Sequence, residues 1–153
     1  MTYSKLTGVV FGAILCGALV TSVHVKGSRA GEYKIVNSTI PASLTGKAGD
    51  AANGRKLSYN KKKGNCLACH VMPIPEQQFH GEIGPDLTGV ASYLSEPEMR
   101  MRLVDPKVLN PDTIMPSFLK VHTTRVLKKF VGKTILKAQE VEDIIAYLKT
   151  LKG

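Results

Sequence analysis

The chain has 153 residues, length enough for one domain, and its 21 Lys and Arg against 12 Asp and Glu give a formal charge of +9. Four Phe and no Trp leave a chain of this size short of large side chains for a core built by helix packing alone. Neither an internal repeat nor a convincing strand alternation is visible, which excludes repeat and β architectures.

Lys5 is followed by an apolar run over residues 6–23 and then by Ser28-Arg29-Ala30, small side chains at the two positions a signal peptidase reads. Residues 1–30 are therefore expected to be a secretory signal cleaved near Ala30. The alternative is an uncleaved anchor, because the run is close to the length that spans a bilayer. Cleavage removes Lys5, Lys26 and Arg29, so the charge falls from +9 to +6, and Cys66 and Cys69 become the only cysteines. An exported, moderately basic protein points to the periplasm, to acidic protein partners or anionic substrates, to no nucleic acid, and to no stable membrane insertion after cleavage.

Residues 31–48, with Gly31, Asn37, Ser38, Pro41, Ser43 and Gly46 and no periodicity, read as an extended arm ahead of a domain over 49–153. Asp50 is placed to cap a helix through Ala51, Ala52, Arg55, Leu57 and Tyr59, with Lys61, Lys62 and Lys63 completing its last turn before Gly64. Gly54 on this helix and Tyr147 on the last one are placed to meet at a close crossing; a surface glycine and an unrelated core tyrosine are the competing reading.

Cys66-Leu67-Ala68-Cys69-His70 carries the chemistry. Two thiols three residues apart can each add to a vinyl group of one porphyrin, and the histidine after the second can reach the iron, so the pentapeptide reads as a covalent c-type haem site. A zinc site needs a second pair of ligands, and none follows, since His80 and His122 are isolated. A thioredoxin-like pair belongs after a strand in a βαβ pattern, which is absent. In an oxidising compartment two thioethers also withdraw both thiols from redox chemistry.

Residues 72–90 are loop, punctuated by Pro73, Pro75, Gly81, Gly84, Pro85 and Gly89. Pro85 is placed to offer its carbonyl to the second nitrogen of His70; an ordinary turn is the competing reading. A helix follows from a Ser95 cap to Val104, ended by Asp105-Pro106. Residues 106–137 are mostly irregular. Within them Met115 stands in Asn110-Pro111-Asp112-Thr113-Ile114-Met115-Pro116, where two prolines stiffen the loop and the residue before a proline is held extended, a way to present a thioether to iron. Met115 is the favoured second axial ligand, with His122 and His80 as alternatives; Met99 and Met101 on the preceding helix read as packing. The last helix carries Val141, Ile144, Ile145, Leu148 and Leu151 at helical spacing. The sum is an all-α domain whose long loops wrap one covalent haem. His and Met together close both axial positions and suit electron passage, whereas an open position would suit a peroxidase. No catalytic residue of its own stands out.

The segment 49–55, the pentapeptide and 145–148 resemble class I cytochromes c over roughly residues 48–152. More narrowly, 63–70, 81–90, 109–118 and 132–143 resemble the SoxX family. That resemblance implies a periplasmic heterodimer with a SoxA haem subunit, in which thiosulfate is oxidatively joined to a cysteine of the SoxYZ carrier (L-cysteine S-thiosulfotransferase activity). It also implies that the sulfur chemistry belongs to SoxA. The haem of the SoxX-type chain, on His70 and Met115, accepts the electrons and passes them to a downstream redox protein. The alternative is a free-standing electron carrier. Lys137, where a capping Ser, Thr or Asp would be more comfortable, departs from a good helix start.

Overall fold

The computed structural model describes residues 33–153; the expected signal segment and its cleavage site lie outside them. Three helices form the frame, α1 (Ala51–Tyr59), α2 (Glu96–Val104) and α3 (Ala138–Leu148), with 3-10 turns at Cys66–Ala68, Pro106–Val108 and Lys128–Phe130. Among the described residues only isolated bridges have β character, and the class is all-α. No helix among them is long and apolar enough to cross a membrane.

Asp50 starts α1 by accepting from the backbone N–H groups of Ala52 (2.9 Å) and Asn53 (3.1 Å). The helix ends earlier than the lysine triplet suggests. Asn60 is extended and its Oδ1 accepts from the Lys62 N–H at 2.9 Å, a local bond that competes with helix propagation. Lys61, Lys62 and Lys63 therefore lie in a turn beyond α1, and the expectation that they complete its last turn is corrected.

The α1–α3 crossing is close because of Gly54. A Cβ there would fall 1.9 Å from the Asp143 carbonyl oxygen and 2.9 Å from the Ile144 Cα. The nearest atoms are thus the α3 backbone one turn before Tyr147, so the absence of a side chain at Gly54 is what lets the helices approach. Asp143 then ties the helices by accepting from the Asp50 N–H (2.9 Å) and the Asn53 amide (2.7 Å). Burial opposes its charge, but these bonds and one from Gln139 prevail and hold its carboxyl below the usual range.

At the start of α2 the Glu98 carboxylate accepts from both the N–H (2.8 Å) and the hydroxyl (2.6 Å) of Ser95. At α3 the Glu140 carboxylate accepts from the Lys137 N–H at 2.8 Å. That is half a capping box, because a lysine side chain has no acceptor to complete it. Leu151 lies beyond the end of α3 yet is buried.

The arm joins the domain. Ile40 is fully buried, its N–H bonds to the Pro97 carbonyl at 3.2 Å, and its own carbonyl accepts from Arg100 Nη1 at 2.9 Å. Arg100 is 1 % exposed and also reaches both Glu142 oxygens (2.8 and 3.0 Å) and Glu96 (2.6 Å). Glu142 accepts from the Leu44 N–H at 2.8 Å. One guanidinium therefore gathers α2, α3 and the arm.

Candidate functional site

The motif 66–70 forms a tight turn. Asn65 enters it in the left-handed region (φ 49°), a conformation asparagine tolerates, and the Cys66 carbonyl accepts from the N–H groups of Cys69 (3.0 Å) and His70 (2.9 Å). The following loop runs alongside it through Gly81 N–H to Leu67 carbonyl (2.8 Å), Gly84 N–H to Cys69 carbonyl (2.7 Å) and Leu87 N–H to Val71 carbonyl (2.9 Å). Gly84 is pressed against the imidazole: a Cβ there would lie 2.4 Å from His70 Cε1, so only glycine fits. The next residue, Pro85, presents its carbonyl oxygen 2.7 Å from His70 Nδ1. Nδ1–H donates to it, which leaves the lone pair on Nε2. Of the two readings of Gly84-Pro85, the ring support is the one the geometry carries.

Cys66, Cys69 and His70 line a cavity of about 750 Å³, and Met115 lines it from the loop 109–118. The helices contribute Met99 and Leu103 from α2 and Ile144 and Leu148 from α3. His80 and His122 are not in the lining. His80 Nδ1 accepts from the Met72 N–H at 3.4 Å, while its Nε2 is buried without a partner. His122 Nε2 donates to the Ser117 carbonyl at 2.5 Å. Two sulfurs besides the cysteines therefore face the cavity, Met99 from a helix and Met115 from a loop.

Sequence reasoning missed Arg102. It is the one Lys, Arg, Asp or Glu in the lining, anchored by Nη1 to the Glu98 carbonyl at 3.2 Å. The signal was its position between Met101 and Leu103, both in the core.

These residues fit a large, mostly apolar, planar guest. The volume lies within the range of ligand pockets, the walls are hydrocarbon, and a few polar groups converge. Two thiols and a free imidazole nitrogen could hold a porphyrin, and Arg102 could meet its carboxylates. They fit the other readings poorly. Burial pushes the Cys66 thiol up to about 11, so it lacks the thiolate character of a redox pair. Among the described residues no three His, Cys, Asp or Glu side chains gather as a metal-binding group, and the set is not that of structural zinc.

Comparison with known proteins agrees with this geometry. The family model for cytochrome c matches residues 51–152. No curated protein matches the sequence. Among solved structures, a chain of the crystal structure of SoxXA from P. pantotrophus is 35% identical with a TM-score of 0.72, over 80% of this chain and 96% of that one. The family implies a covalently bound haem c, and the chain belongs to the cytochrome c family, as a cytochrome of the SoxX type.

Proposed function

We propose that this chain is the mono-haem, electron-accepting subunit of an exported SoxXA-type complex. Its partner is a SoxA-like haem subunit, and the complex oxidatively joins thiosulfate to a cysteine of a SoxYZ-like carrier. In this reading residues 1–30 are removed on export, the arm 31–48 precedes a cytochrome domain over 49–153, and the protein resides in the periplasm. Cys66 and Cys69 hold the haem covalently, with His70 and Met115 as axial ligands. The observation that carries the proposal is that this thiol pair, the imidazole and the loop methionine, drawn from separate segments, line one cavity.

When bound, the haem supplies one-electron redox chemistry. The chain's own residues do the rest. Pro85 and Gly84 fix the imidazole plane, and hydrocarbon from α2 and α3 keeps water from the pocket. Met99 is 2 % exposed on a helix, where methionine is packing material, whereas Met115 is half-buried on a loop between prolines and free to be presented.

The rim of that cavity supports a subunit over a free shuttle. Ile83 (71 % exposed), Ile114 (75 %) and Tyr93 (57 %) stand at its edge, an apolar border of the kind a permanent interface covers. The segment that follows the methionine loop is basic, which suits an acidic downstream redox protein. Residues 113–139 hold six cations and no carboxylate, and Lys129 Nζ donates to the Lys62 carbonyl at 3.1 Å, joining this segment to the lysine triplet. Lys63 is itself paired with Glu140 at 2.8 Å. Co-purification from the native host tests the assignment. A second haem protein should stay bound through high salt, because an apolar contact is not screened; a monomer under those conditions would overturn the subunit reading in favour of a free carrier.

A further inference from the structure

The loop that carries Met115 has no helix or strand of its own from 109 to 118. Backbone bonds tie its two ends, Asn110 N–H to the Pro106 carbonyl at 3.1 Å and Phe118 N–H to the Leu103 carbonyl at 2.9 Å, but over residues 111–117 the only one is the Thr113 N–H to the Asn110 carbonyl at 3.1 Å. Between those ends it is held by a set of side chains, most of them anchored just past the end of α2. On the near flank Lys107 Nζ donates to the carbonyls of Pro111 (3.1 Å) and Thr113 (2.8 Å), and the Thr113 hydroxyl oxygen accepts from the Met115 N–H at 3.2 Å. On the far flank the buried Ser117 hydroxyl donates to Asp105 Oδ1 at 3.2 Å, and its carbonyl accepts from His122. The second Asp105 oxygen is held by Lys120 Nζ at 2.5 Å. Two residues in one short stretch, Asp105 and Lys107, thus pin both sides of Met115.

We propose that Lys107 on one flank, and Asp105, Ser117 and His122 on the other, are positioning residues that fix the reach of the Met115 thioether and so protect its bond to the iron from displacement. This rests on the axial role given to Met115 above. A ligand on a loose segment has to be ordered each time it binds, and a competing ligand gains by that cost; pinning the flanks removes it. His122, an alternative ligand on sequence grounds, then acts through the backbone of the methionine loop.

The test uses the haem-loaded protein and added imidazole as the competing ligand, followed by the far-red sulfur-to-iron band of the oxidised form. Lys107 is exposed, so Lys107→Gln leaves the core untouched. It should fold with only a small loss of thermal stability and bind imidazole about fivefold more tightly than wild type, the scale of one exposed charge-assisted hydrogen bond. Ser117→Ala should add to it, and Lys107→Arg, which can still donate to both carbonyls, should restore wild-type binding. If Met115→Ala loses the band and takes imidazole freely while Lys107→Gln and Ser117→Ala match wild type, the positioning inference is overturned and the axial assignment stands. If wild type has no such band, the axial assignment itself fails.

Discussion

Met115→Ala is expected to abolish the far-red sulfur-to-iron band of the oxidised protein, and Met99→Ala to leave it in place. Both sulfurs border the same cavity, so the pair of variants separates ligand from lining. Losing a thioether ligand should lower the reduction potential by a substantial part of the roughly 0.8 V over which axial ligation tunes haem proteins. The Met99 change should act on stability instead, costing about 2–5 kcal/mol as a buried methionine truncated to alanine. A band that survives Met115→Ala and vanishes with Met99→Ala would move the ligand to α2.

Arg100→Ala should be the most damaging change outside the cavity. The guanidinium is 1 % exposed and Glu142 5 % at the side chain, so removing one partner strands a carboxylate in the interior. The expected cost is about 3–5 kcal/mol, read by urea unfolding of the holoprotein. Burial works against the Arg100 charge, but Glu142 and Glu96 more than offset it and raise its pKa. Arg100→Met, which fills the same space, should still be destabilising because Glu142 remains unpaired, whereas Arg100→Met with Glu142→Leu should recover much of the loss. The arm should loosen with the single variants, since Arg100 holds the Ile40 carbonyl and Glu142 the Leu44 N–H, and protease should then cut near residues 40–44. An unfolding free energy within 1 kcal/mol of wild type would show that the cluster is not the clasp of the fold.

The parts of this molecule that were legible from sequence are those written in local spacing. Asp50 and Ser95 announce α1 and α2 because capping is decided within four residues, and the 66–70 motif carries its own chemistry. Sequence left Gly84-Pro85 open between ring support and an ordinary turn, and the 2.7 Å approach of the Pro85 carbonyl to His70 decides between them. What escaped is long-range or cooperative. Arg100 and Glu142 are 42 residues apart, and the only local sign was a carboxylate beside Val141 and one turn from Ile145, on the face that turns inward. The arm lacks periodicity because it lies along the helices and buries one residue, Ile40, rather than forming an element. The lysine triplet was misread as helical because propensity ignores the Asn60 side chain, whose bond to the Lys62 N–H ends α1. Gly54 marks the crossing point, but the backbone atoms it meets, at Asp143 and Ile144, depend on the height at which two helices meet, which no single-helix pattern records. The methionine loop showed its candidate ligand but not its fastenings, because Asp105 and Lys107 look like an ordinary helix end.

In the proposed function this chain fills both axial positions on the iron, so electrons pass while reactants do not bind. The optical spectrum of the dithionite-reduced wild-type protein, taken before and after adding carbon monoxide, tests it most directly. The account predicts a six-coordinate ferrous spectrum that the gas leaves unchanged at neutral pH. A Soret band that shifts and sharpens at once on exposure to carbon monoxide would mean an open iron site and would contradict it.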